Sequence, residues 1–223
     1  MPKLTKATGL NNRSILLLLR GNHAESMTLQ QEATAMAMEL LEDLDQNRNN
    51  VVKGGAQMQI AVVSLHNKNI TSMSNKSPEE MCFMLQKVFK VPPDNNSVEL
   101  TILVILYNLA YLFHSRALEE KNDNPADLKK AKDLYSLVKT LVIDDNLLTF
   151  DNQLFQLALL HNLGQVYYSL GENDAMKENF DQIADILREH LDQVSEVDQR
   201  IFQQNENIRG AADENIANQQ HKL

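Results

Sequence analysis

Asparagine recurs in step along three stretches of this 223-residue chain, at Asn12, Asn108 and Asn162. Its carboxamide carries a donor and an acceptor together, the pair needed to hydrogen-bond a peptide backbone. Tyr107, Tyr111 and Tyr168 stand near the second and third of them. A ring with a polar tip supplies apolar contact area and a hydrogen bond at once. These residue types suit recognition, whereas groups suited to catalysis are poorly placed. His23, His66, His114, His161, His190 and His221 show no paired metal-ligand spacing, and the single Cys82 cannot build a thiolate zinc site. Cys82 lies among apolar neighbours and reads as a small buried hydrophobe. The stretch DLDQNRNNVVKG (43–54) has oxygen side chains at Asp43, Asp45, Asn47 and Asn49. A calcium loop would need glycine where Arg48 stands and a closing glutamate where Gly54 stands, so it is rejected. Gly54-Gly55 lacks the rest of a phosphate loop. The carboxylate pairs Asp144-Asp145 and Glu79-Glu80 sit at a loop and a helix start, where helix-end electrostatics accounts for them. The expectation is a non-enzymatic chain with no cofactor and no metal.

Composition narrows the class. Hydrophobic residues make up 43%, and Gly and Pro number only 7 and 5, which argues against a turn-rich all-β fold. A net charge of −9 disfavours nucleic acid or an anionic membrane as the main partner. Basic residues gather at the N-terminal end (Lys3, Lys6, Arg13, Arg20) and acids toward the C-terminal end, as a solvated surface would show. A lone cysteine fits a reducing compartment, and ILLLL at 15–19 is too short for a secretory core. No apolar run approaches about 20 residues, so no membrane insertion is expected. An intracellular, cytoplasmic or nuclear location follows as the expectation.

The elements that would position these residues are helices in pairs. Residues 1–8 read as a ragged end. An apolar helix follows over 10–19, stopped by Gly21, and a second over about 24–43 buries Met27, Ala33, Ala37 and Leu40. Residues 45–96 form an irregular insert. Within it QMQIAVVSL (57–65) suggests a strand. SPEE (77–80) has the cap and first-turn proline of a helix start. That places a helix over 82–91 ahead of the alternative, a small β-hairpin pairing 82–91 with 57–65. The next helix, about 97–118, is apolar on nearly every side and belongs inside the fold. Its partner begins after Asn124-Pro125, a capping residue and a first-turn proline. The third pair is the clearest. Phe155, Leu159, Leu163, Val166 and Tyr167 repeat at helical spacing, Gly171 closes the turn, and Met176, Phe180, Ile183 and Leu187 form the answering stripe. Gly164 lies in mid-helix at a cost of roughly 1 kcal/mol relative to alanine, which a close-packed neighbour would explain.

Laid over one another, the pairs share a signature. YNLAYLF (107–113) matches HNLGQVY (161–167), with Ala110 opposite Gly164 and Phe113 opposite Tyr167; Ala131 and Tyr135 then match Met176 and Phe180. In the first pair Asn12, Ser14, Leu17, Gly21, Ser26 and Ala33 fall in step, while Arg13 replaces the leucine and Gln30 the aromatic. This pattern resembles the tetratricopeptide repeat. The layout is also similar to that of uncharacterised algal tetratricopeptide-like proteins, a likeness that implies no activity.

The resemblance implies an all-α chain of helical hairpin repeats, an α-solenoid, forming one domain over 1–208. Its pairs would lie at about 9–44, 97–142 and 152–190, ahead of a polar tail at 209–223. It also implies a concave groove lined by Asn12, Tyr107, Asn108, Tyr111, His114, His161, Asn162, Gln165 and Tyr168. Such a groove would hold a peptide or helix of another protein, and for that Tyr107, Tyr111 and Asn162 must be accessible. Relatives that grip a terminal carboxylate use groove lysines, but Tyr107 and His161 stand where the first of these is expected. A scaffold or adaptor is the expectation. The alternatives are a structural subunit buried in a larger assembly and an enzyme with an unrecognised site.

Overall fold

A computed structural model describes residues 2–47, 61–64, 87–92, 97–119, 124–144 and 153–190. Among them are six α-helices: α1 Pro2–Leu19, α2 His23–Asn47, α3 Val98–Glu119, α4 Pro125–Lys139, α5 Gln153–Ser169 and α6 Asn173–His190. Two short strands, β1 Ala61–Ser64 and β2 Lys87–Lys90, lie between α2 and α3 in the chain. The fold is therefore mostly helical. Contacts divide the chain into two compact units, one holding α1 to α4 with both strands and the other holding α5 and α6.

In the first unit α1 packs on α2, α2 on α3 and α3 on α4, and α1 also touches α3. Helix α1 begins at Pro2, so the ragged end expected for residues 1–8 is instead helical, with Leu4 and Ala7 buried. Proline suits that start, because its missing N–H would be unsatisfied in a first turn anyway. Three of the four basic N-terminal residues have acidic partners across the hairpin: Lys3 pairs with Glu39 and Lys6 with Glu32, and Arg13 lies 3.8 Å from Glu25. Ser14 and Ser26 are both buried, and each hydroxyl donates at 2.9 Å to the other's carbonyl oxygen. Two small residues thus let α1 and α2 approach closely without orphaning a polar group.

The α3–α4 pair is locked at its turn. Asn124 caps α4 by accepting from the Ala126 N–H, with Pro125 at the first position as expected. Arg116 on α3 grips Asp127 with two bonds, Nε to Oδ2 at 2.5 Å and Nη2 to Oδ1 at 2.7 Å. Helix α4 widens into one π-turn, Thr140–Asp144, at its end. Helix α3 is more apolar than a reading of unbroken runs suggests. Over Val98–Leu118 it is long and apolar enough to cross a membrane, yet most of that span is buried within the structure. It is the core helix of its unit.

The second unit repeats the turn of the first. Gly21 and Gly171 both take a positive φ, of 77° and 74°. In both, the residue after glycine donates to the carbonyl five residues back, Asn22 to Leu17 and Glu172 to Tyr167. The glycine itself donates to a carbonyl three back, Gly21 to Leu18 and Gly171 to Tyr168. This arrangement satisfies the helix's last carbonyls and needs a residue without Cβ strain at the left-handed position. Gly164 packs as expected: a Cβ there would lie 2.5 Å from the Phe180 ring, so α6 sits directly against the α5 backbone.

The insert departs from the helix reading. Lys87–Lys90 is a strand, antiparallel to Ala61–Ser64 with Val62 opposite Phe89. Over 87–90 the hairpin alternative holds and the expected helix does not, while 82–86 lie outside the described residues. The helix start expected at 77–80, the elements beyond 190 and the tail lie outside the described residues.

Candidate functional site

Strand β2 lies on α1 and α3, and the side chains beneath it bind its backbone. Asn108 on α3 accepts from the Phe89 N–H at 3.1 Å and donates to the Phe89 carbonyl at 2.8 Å. Asn12 on α1 does the same two residues on, accepting from the Val91 N–H at 3.1 Å and donating to its carbonyl at 2.7 Å. The Tyr107 hydroxyl donates to the Lys87 carbonyl at 3.2 Å. Residues 87, 89 and 91 thus present their peptide groups to the helices. The intervening Val88 and Lys90 are free to pair with Val63 and Ala61 on β1. The spacing follows from geometry. Successive strand residues direct their N–H and C=O to opposite edges, so every second residue faces the helices, Phe89 meeting Asn108 and Val91 meeting Asn12.

The two asparagines are held in place from behind. Asn108 Nδ2 also donates to Asn11 Oδ1 at 2.8 Å, and Gln30 Nε2 donates to the same oxygen at 3.0 Å and to the Ile105 carbonyl at 2.9 Å. Asn11 Nδ2 in turn reaches Asn12 Oδ1 at 3.2 Å and the Phe89 carbonyl at 3.4 Å. Gln30, Asn11 and Asn108 are all buried. The network therefore fixes both carboxamides with their polar edges toward the strand.

Phe89 supplies the one aromatic side chain on β2. Its ring meets Tyr107 edge-on at 5.0 Å, Tyr107 meets Tyr135 of α4 at 5.4 Å, and Tyr135 meets the His114 ring at 6.2 Å. All four rings are buried. At the far end of this unit the Arg116 hydrogen bonds hold the Asp127 carboxyl below the usual carboxylate range, against the opposing effect of burial.

Among the described residues, the positions implied to line an open groove are mostly covered. Of the nine residues implied to line one, Tyr107, Asn108, Tyr111, His114, His161, Asn162 and Gln165 are buried, and only Asn12 and Tyr168 are partly exposed. Asn12, Tyr107 and Asn108 come together under β2 and already hold an extended backbone, the chain's own. Tyr111 and His114 lie further along α3, and His161, Asn162, Gln165 and Tyr168 lie on α5 in the other unit. The His161 ring lies tilted at 45° to that of Phe180, 6.5 Å away within its own hairpin. Asn11 and Gln30 were not singled out by the repeat pattern. Gln30 nonetheless carried a signal, since it replaces the aromatic found at the matching positions Tyr135 and Phe180.

Scans against protein-family models, curated proteins and solved structures give no match to this chain. The site's own geometry carries the functional reading.

Proposed function

We propose that this chain is a non-enzymatic interaction scaffold of tetratricopeptide-like helical hairpins that recognises an extended protein segment by its backbone. The observation that supports the reading is the paired clamp of Asn12 and Asn108 on alternate peptide units, each using donor and acceptor together. Backbone recognition gives affinity for strand-like chain, and pockets for alternate side chains give selectivity. The groove is thus proposed in a narrower form than the sequence suggested, confined to α1 and α3 and filled by a strand.

Affinity capture from native lysate tests this, comparing the wild type with an Asn12→Ala/Asn108→Ala variant shown by circular dichroism to remain helical. A protein bound by the wild type and lost from the variant is the expected result. A partner retained by both would move the interface off this face. A structural subunit is the second reading, favoured by Leu16 and Leu19, which lie three apart on α1 and are 44% and 46% exposed. Aggregation of the purified chain alone would favour that reading.

A further inference from the structure

We propose that the outer face of α1 is the docking site for an amphipathic helix of a partner protein, one whose apolar stripe is flanked by acidic residues. This goes beyond the strand-recognition reading and gives the structural-subunit reading a partner.

Gly9, Arg13 and Leu16 fall at steps of four and three residues, so they lie on one side of α1, and Arg20 follows four further on in its closing turn. All four are exposed, and the exposed Leu19 borders the same side. Within its unit α1 is the end helix of the row, packed on α2 and reaching α3 and β2. The end helix of such a row keeps the molecule in solution by turning a polar face outward. Here that face puts two leucines into water within one turn of each other.

Gly9 points the same way. Gly164 makes room for Phe180, whereas a Cβ at Gly9 would meet nothing within 4 Å. The positive-φ glycines are Gly21 and Gly171, so the backbone does not call for glycine at position 9 either. A mid-helix glycine lowers stability relative to alanine. Close approach of a second helix accounts for it, since a missing side chain lets another chain come up to the backbone.

The charge on this face selects the partner. Helix α1 holds Lys3, Lys6 and Arg13 and no acid, in a chain whose net charge is −9. Glu39 and Glu32 engage the two lysines. Arg13 has only the 3.8 Å approach of Glu25, which Asn22 also holds, and Arg20 has no acidic partner among the described residues. Leu16 therefore sits between two arginines. The complement of that pattern is an apolar stripe with carboxylates beside it. A second copy of the same face fits poorly, because it would bring arginine against arginine.

The test uses the full-length protein and two fluorescein-labelled helical peptides, each with a leucine stripe at steps of three and four. Glutamates flank the stripe in one peptide and lysines in the other. Wild type should bind the glutamate peptide about tenfold more tightly than the lysine peptide. Leu16→Asn, a change at an exposed position, should weaken that binding about tenfold. Arg20→Ala should remove most of the preference for glutamate. Gly9→Ala should raise the thermal midpoint, because it gains helix propensity and meets no neighbour, and should still weaken the peptide. Absence of binding, equal binding of the two peptides, or binding indifferent to Leu16→Asn overturns the proposal. A concentration-dependent dimer lost in Leu16→Asn would assign the face to a second copy, and binding to phosphatidylserine vesicles in place of the peptide would assign it to a membrane. Either result overturns it. The outcome is separable from that of the capture experiment, whose variant changes Asn12 and Asn108 and leaves Leu16 and both arginines in place.

Discussion

A carboxamide side chain is a peptide group without its chain, and at Asn12 and Asn108 it takes the place of a neighbouring strand. Each covers one N–H and one C=O on the edge of β2 that faces away from β1. Buried main-chain groups must find such partners, which is why the residues under an extended segment are so restricted. The donor-plus-acceptor chemistry was legible, but the sequence assigned it to a ligand's backbone and to Asn162 as well, whereas Asn12 and Asn108 hold the chain's own strand. Asn11 was not legible, since its role depends on Gln30 and Asn108 meeting it from two other helices. The Arg116–Asp127 pair was equally hidden, eleven positions apart across a turn. It carries a pH dependence whose sign is fixed. Asp127's folded-state pKa is lowered, chiefly by the Arg116 hydrogen bond. Its stabilisation is therefore present above the unfolded value of about 3.9 and lost as pH falls through the lower folded value. Asp127→Asn should lower stability by about 2 kcal/mol at pH 7, discounted for the half-exposed arginine, and the gap to wild type should close below about pH 4. Urea midpoints measured from pH 7 to pH 3 check this; a gap unchanged by pH would show that the charge contributes nothing.

Helix hairpins were the most readable elements, because each is specified locally. Gly21 and Gly171 announce a left-handed closure, Asn124-Pro125 a capped start, and the three-and-four spacing a buried stripe. Gly164 is the sharpest case. Alanine there gains helix propensity of about 1 kcal/mol, but its Cβ would lie 2.5 Å from the buried Phe180 ring. Overpacking of this kind costs about 1–3 kcal/mol, so Gly164→Ala should be net destabilising by about 1 kcal/mol. Adding Phe180→Leu should recover a larger share of the thermal midpoint than the two single changes sum to. Strict additivity in that double-mutant cycle would show that the ring is not what glycine makes room for. The strands were less readable. Lys87–Lys90 alternates weakly and follows a genuine helix-start sequence at 77–80, so local propensity spoke for helix. What decides for strand is tertiary: β1 pairs one edge and the carboxamides cover the other.

For the molecule as a whole, a mostly helical fold was expected from scarce Gly and Pro and from three apolar pairs, and six helices are found among the described residues. What composition and spacing could not show is that the face presumed open is covered. Burial of that kind depends on contacts between distant stretches, and the bond from Asn12 to Val91 joins positions 79 apart. That separation also orders events in time. Closing the α1–α2 hairpin needs a three-residue turn, whereas docking β2 on α1 must first close a loop more than an order of magnitude longer. The helical hairpins should therefore be complete in the folding transition state and the strand absent from it. Asn12→Ala should then speed unfolding about fivefold, equivalent to about 1 kcal/mol, and leave the refolding rate unchanged in stopped-flow measurements. A refolding rate that fell by the same factor would place strand docking in the nucleus instead. On the expected course, each molecule spends the last moments of its folding with the Asn12 and Asn108 carboxamides hydrated, before its own strand takes the place of water.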